Sequence, residues 1–139
     1  MKILGINHIG MAPKDAAVAK EFFGNILKLE NLGEEDVESQ KTLTTMFLPA
    51  ENAGRFELLE GTSADSPISK FLEKRGAGIH HVAITVDNIE KTLQYLKSQS
   101  VELIDSEPRN GAHNTRIIFV HPRATGGILV EFVQELEAK

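Results

Sequence analysis

The chain has 139 residues, 41% of them apolar and 25% charged, with a net charge of −5 and no cysteine. This is globular composition, with enough chain for one ordinary domain or for two small modules sharing a core. Lack of cysteine excludes a disulfide framework, a thiolate metal site and a cysteine nucleophile, and the acidic balance argues against nucleic acid as a partner.

No run approaches the roughly 18 apolar residues of a membrane span, and Met1 to Gly5 lacks the apolar region of a signal peptide, so the expectation is a cytoplasmic protein without a membrane partner. Residues 3 to 12 read as a buried strand, closed by Pro13-Lys14-Asp15, with Asp15 placed to cap a helix. Ala16, Ala19, Phe22, Phe23 and Ile26 then recur at helical spacing, which predicts an amphipathic helix laid over a sheet. Residues 30 to 42 are acidic and weakly periodic and read as a solvated loop with room for an edge strand. Leu43 to Leu48 and Arg55 to Leu59 have strand character, and Pro49 to Gly54 between them has hairpin-loop chemistry.

Residues 61 to 77 form a connector with a short helix of its own. Ser66 followed by Pro67 is a helix start, Ile68, Phe71 and Leu72 form an apolar stripe, and Gly76 is placed to end it. A second series follows: a strand over 79 to 86, a helix capped by Asp87 with Glu90 and buried through Ile89, Leu93 and Leu96, then strands near 101 to 104, 116 to 120 and 128 to 133. The order is βαβββ twice. The expected fold is α+β: one domain over 1–139, made of modules 3–60 and 78–134, whose curved mixed sheets pair around a central metal cleft. A module of that size alone would leave too much strand edge unpaired.

The strand at 78 to 86 repeats the first strand. Gly78-Ile79-His80-His81-Val82-Ala83 answers Gly5-Ile6-Asn7-His8-Ile9-Gly10 at an offset of 73 residues. Phe56-Glu57-Leu58-Leu59 answers Val130-Glu131-Phe132-Val133 at an offset of 74. Each half therefore opens with a histidine and closes with a glutamate. Two copies related by a two-fold axis would bring two imidazoles and two carboxylates to one point, and His8, Glu57, His81 and Glu131 are the candidate metal ligands. Glu57 and Glu131 interrupt strands rich in Leu, Phe and Val, where an inward carboxylate must be paired or metal-bound. His80 alternates to the face opposite His81 and reads as a packing residue. His121 ends a strand as a turn residue or pocket-mouth residue, and His113 sits in a glycine-containing loop as a solvent-facing or gating residue. Arg109, Arg116 and Arg123, with no acid between Pro108 and Val130, form a local positive segment suited to an anionic ligand.

The twinned Gly-Ile-(Asn/His)-His strands resemble the vicinal oxygen chelate superfamily (glyoxalase and bleomycin-resistance proteins). Within it, Asp65 to Leu72, Glu107-Pro108-Arg109, Gly111-Ala112-His113 and Phe119-Val120-His121-Pro122-Arg123, leading to Gly126-Gly127 and Glu131, resemble the methylmalonyl-CoA epimerases over nearly the whole chain. The resemblance implies one divalent ion (cobalt, manganese, zinc or nickel) in a His8, Glu57, His81 and Glu131 shell. It implies an acyl-CoA substrate near Arg123, with Arg116 and His113 as further substrate-binding candidates, and a homodimer. It also implies interconversion of (R)- and (S)-methylmalonyl-CoA through a metal-stabilised enolate, and the two-fold relation of the repeat offers Glu131 and Glu57 as the catalytic acid and base. The chain departs from the pattern at Thr44, where some members carry a glutamate given an acid/base role, and at Glu57, where some carry glutamine. Rival readings are a glyoxalase I-type lyase acting on a hemithioacetal and a metal-free small-molecule binding protein of the same fold. An iron dioxygenase would need only two histidines and one carboxylate, which Glu57 exceeds.

Overall fold

The structure is a computed structural model, and it describes residues 1–51 and 53–137. Asn52 of the expected hairpin loop, and residues 138 and 139 of the expected domain, lie outside the described residues. The chain divides into two compact units, one of residues 8–80 and the other of residues 1–7 with 81–139. Both divisions fall immediately before the histidine of a repeat.

In the first unit, β1 (Ile3–Ala12) contributes its residues from His8 onward to a sheet of order β2-β3-β4-β1. Strand β4 (Arg55–Gly61) runs parallel to β1 and antiparallel to β3 (Thr42–Leu48), which in turn pairs antiparallel with β2 (Glu30–Val37). Helix α1 (Ala16–Lys20) starts where expected, with the Asp15 carboxylate accepting the Val18 N–H at 3.2 Å. It does not continue as one regular helix: Glu21–Ile26 widens into a π-helical turn. The apolar stripe is split as a result. Phe23 packs its ring against Phe47 and Phe56 at 6.1 and 5.4 Å, whereas Phe22 and Ile26 are exposed. Lys20 reaches Glu34 at 2.9 Å and Glu60 at 3.0 Å, tying this segment to β2 and β4.

The acidic stretch expected as a loop is mostly β2. Its backbone pairs with β3 from Glu30 opposite Leu48 to Val37 opposite Thr42, with a register shift between Asn31 and Gly33, and alternation leaves the acidic side chains largely to solvent. Composition disfavours a strand here, and the ladder overrides it. Helix α2 (Pro67–Arg75) begins and ends as the connector predicts. Ser66 Oγ accepts the Ile68 N–H at 3.1 Å, and Gly76, at φ 76°, takes a left-handed conformation that a side chain would strain. Its Ile68, Phe71 and Leu72 pack on Ala12 and Leu59.

The second unit repeats the order. Its sheet runs β5-β8-β7-β6, with β5 (Gly78–Val86) parallel to β8 (Val130–Glu135), and β7 (Thr115–Val120) antiparallel to both β8 and β6 (Arg109–Gly111). Two expectations shift here. The strand at 101 to 104 reduces to a bridge between Leu103 and Val120, and the third paired segment is β6, beyond Pro108. The cap of α3 (Ile89–Ser98) is Asn88, whose side chain accepts the Lys91 N–H at 2.9 Å. Asp87 instead accepts the Lys2 N–H at 2.8 Å. The first helical residue, Ile89, leaves Asp87 one position too early to cap.

This sheet sorts its residues cleanly by parity. Val86, Ile118, Val120 and Phe132 join Ile89, Leu93 and Leu96 of α3 in one core, while Ala83, Ile117, Phe119 and Val133 cluster separately. His81 and Glu131 alternate to the second of these faces. The glutamate thus sits in an apolar strand without entering the helix-facing core.

Candidate metal centre and active site

In the second unit the site starts from one register: Ala83 on β5 lies opposite Glu131 on β8. His81 is two residues earlier on β5, on the same face, so its ring reaches back to the carboxylate, and Nε2 stands 3.0 Å from Glu131 Oε1. Both residues are buried, and Ala83 is fully covered beneath them. A small residue is required there, because a larger side chain facing the glutamate would occupy the space in which imidazole and carboxylate meet. The first unit repeats the register, with Gly10 on β1 opposite Glu57 on β4. His8 Nε2 lies 3.4 Å from Glu57 Oε1, and both are again buried.

Each pair offers one imidazole nitrogen and one carboxylate oxygen, donors that divalent ions accept. Imidazole nitrogen and carboxylate oxygen bind such ions at about 2.0 to 2.2 Å, so two ligands at right angles are about 3 Å apart and two at a tetrahedral angle about 3.4 Å. The observed 3.0 and 3.4 Å separations match those spacings. His8, His81 and Glu131 are buried donors of the kind a metal takes, and Glu57 is buried beside His8.

The remaining candidates fall away from these pairs or beside them. Arg123 is largely exposed, and its Nη2 donates to Glu102 at 2.7 Å, which lowers the glutamate's proton affinity and raises the arginine's. Arg116 donates to the Pro108 carbonyl at 3.2 Å and lies 3.9 Å from Glu90. Arg109 pairs with Asp105 at 3.2 Å. The positive segment therefore has acidic neighbours, drawn from residues outside the acid-free window that defined it. His113 is exposed in the β6–β7 turn, and it and Asn114 both hold left-handed backbone at φ 57° and 56°. His121 Nδ1 accepts the Arg123 N–H at 3.0 Å, a turn-capping role. His80 packs edge-on against Phe71 of α2, with ring centres 5.0 Å apart, as the alternation required. Thr44 is buried on β3, opposite Leu59, so it shares the Glu57 face, and its hydroxyl donates to the Glu35 carbonyl at 3.3 Å.

Beside the His81–Glu131 pair, the sequence reading gave no site role to Phe119 or Asp105 and took Arg109 only as part of the positive segment. Phe119 stands opposite Glu131 and edge-on to His81, and Asp105 and Arg109 grip it from the other side. The parity of β7 was readable. Its register against β8 depends on the intervening turn, whose length in strand terms was not.

Comparisons with known proteins show the family. The family model described as "Glyoxalase/Bleomycin resistance protein/Dioxygenase superfamily" matches residues 7–119. The chain is 42% identical over 131 residues to the Bacillus subtilis protein called "Uncharacterized protein YqjC", covering 93% of this chain and 91% of that one. It is 38% identical over 130 residues to the mitochondrial methylmalonyl-CoA epimerase of Bos taurus, covering 93% of this chain and 73% of that one. A solved methylmalonyl-CoA epimerase in complex with methylmalonyl-CoA and NH4+ superposes with a TM-score of 0.90 at 30% identity, covering 99% of each chain. With its βαβββ order written twice and its histidine–glutamate register repeated, the chain belongs to the glyoxalase/bleomycin resistance/dioxygenase superfamily and, within it, to the family of the methylmalonyl-CoA epimerases.

Proposed function

We propose that this chain epimerises methylmalonyl-CoA, taking the proton from the carbon between the free carboxylate and the thioester carbonyl and returning it on the other face. The observation that carries the reading is the repeated register, Gly10 opposite Glu57 and Ala83 opposite Glu131, each with a histidine two residues earlier. Nitrogen and oxygen donors in that pattern suit a divalent ion such as cobalt, manganese, zinc or nickel. His8, His81, Glu57 and Glu131 would hold it, and when bound it supplies Lewis-acid stabilisation of the charge left on the substrate oxygens as the proton departs.

The remaining chemistry belongs to side chains. Glu131 and Glu57, related by the repeat, act as base on one face of the carbon and acid on the other, and exchange roles with the direction of reaction. With Thr44 at the position where some relatives carry glutamate, Glu57 takes the second proton-transfer role. Arg123, Arg116 and His113 bind the anionic CoA portion. Modules 3–60 and 78–134 build the site, within one chain or by exchange across a homodimer.

The test is solvent deuterium exchange into methylmalonyl-CoA, followed by NMR, with protein as purified, after chelation and after restoring each metal. Exchange at the α-carbon that is lost on chelation and regained with metal is expected. Absence of exchange with every metal would remove the epimerase reading and turn the search to hemithioacetals, then to simple ligand binding.

A further inference from the structure

We infer that Phe119, clamped by Asp105 and Arg109, is a positioning residue that fixes the ring plane of His81. The inference rests on the reading that His81 and Glu131 hold a metal ion. An imidazole binds an ion well only when its ring nitrogen points along the bond, yet the torsion that turns the ring is broad and weakly restrained by itself. Groups beyond the ligands normally supply that restraint.

Phe119 is placed to do so. Its ring centre lies 5.7 Å from that of His81, with the planes at 81°, a near-perpendicular contact that resists rotation of either ring. Its Cα is directly opposite Glu131 on the neighbouring strand, so the same side chain stands beside both members of the pair. Phe119 is itself held from two directions by one carboxylate. Asp105 Oδ2 accepts the Phe119 backbone N–H at 2.7 Å, while Oδ1 pairs with Arg109 Nε at 3.2 Å. The Arg109 guanidinium lies 5.3 Å from the Phe119 ring centre, a cation held against the aromatic ring. Asp105 is largely covered, so this grip is partly shielded from solvent. The repeat-equivalent position opposite Glu57 is Met46, a flexible thioether with no ring to present.

The test uses the intact protein, stripped of metal and titrated with cobalt(II), reading affinity by calorimetry and ligand geometry by the visible absorption bands. Phe119→Leu is expected to weaken cobalt binding about tenfold and change the band intensities. Arg109→Met, at a side chain partly open to solvent, keeps the fold and is expected to weaken binding about threefold, while Arg109→Lys retains the cation and stays near the parent protein. In turnover, kcat should fall in the same order with KM for the acyl-CoA unchanged. Phe119→Leu and Arg109→Met proteins that bind cobalt with the parent's affinity and bands would overturn the inference, whatever their thermal stability. A parent protein that binds no cobalt would overturn the metal reading first, and this inference with it.

Discussion

The His81–Glu131 half and the His8–Glu57 half share a backbone plan and differ in what surrounds it. In both, a histidine strand runs parallel to a glutamate strand, and a residue no larger than alanine lies opposite the acid. Beside Glu131 stands Phe119, fastened by Asp105 and Arg109, and beside Glu57 stands Met46. One half is covered on its outer face by a regular ten-residue helix, α3, and the other has five α-helical residues followed by a π-helical turn. The ladder register reproduces the two histidine–glutamate pairs, and the residue across from each acid differs between them, an inequality of side chains on one backbone frame.

The largest test of that inequality is removal of each carboxylate's basicity. Glu131→Gln is expected to lower epimerisation about 10³-fold and Glu57→Gln about 10²-fold, each measured as deuterium wash-in from the (R)- and the (S)-substrate separately. Loss of exchange from opposite substrates would assign the two glutamates to opposite faces of the carbon. Equal loss from both substrates in one variant alone would end the two-base reading.

The ligands come next. His81→Ala is expected to raise the dissociation constant for cobalt more than His8→Ala, each by at least about tenfold, because it removes a ligand whose ring plane Phe119 sets. Equal effects in an affinity titration would mean that the surroundings do not distinguish the halves.

On stability, Ile118→Ala removes a fully buried side chain from the α3-facing core and should cost about 3 kcal/mol, read from urea unfolding. Leu58→Ala in the other half should cost a similar amount, since Leu58 is nearly as well covered.

The smallest effect concerns a pair that only the first half has. The Lys41 ammonium, with the Ser63 hydroxyl, holds the Asp65 carboxyl at about 2 against an ordinary value of 3.8. A carboxyl depressed in the folded state contributes its stabilisation fully above its unfolded value and loses it as pH falls through the folded one. The contribution should therefore be complete above 3.8 and vanish toward about 2, and it should be small because both side chains are exposed. Urea midpoints of the parent and Asp65→Asn proteins should differ slightly near neutrality and converge in acid.

Much of this was legible before any fold was in view, and the failures are instructive. The helix caps at Asp15 and Ser66 and the stop at Gly76 appear as read, because each depends on a few neighbouring residues. The cap at α3 moved from Asp87 to Asn88, since either residue type serves and only the chain path chooses between them. Strand β2 was allowed only as an edge strand within a loop, because its acidic composition disfavours pairing and an edge strand is decided by what its neighbour's backbone offers. Likewise the basic segment looked uncompensated only because Glu102, Asp105 and Glu90, which approach its arginines, lie elsewhere in the chain.

By itself the sequence determined the double βαβββ order, the histidine and glutamate that open and close each half, and the alternation that puts His81 and His80 on opposite faces. These follow from local periodicity and from a repeat visible by counting. Only the tertiary structure decided that Gly10 lies opposite Glu57 and Ala83 opposite Glu131, and that Phe119 stands between Arg109 and His81. The physical reason is register: parity along a strand is a property of that strand, whereas the residue across from it depends on the path of every turn between them.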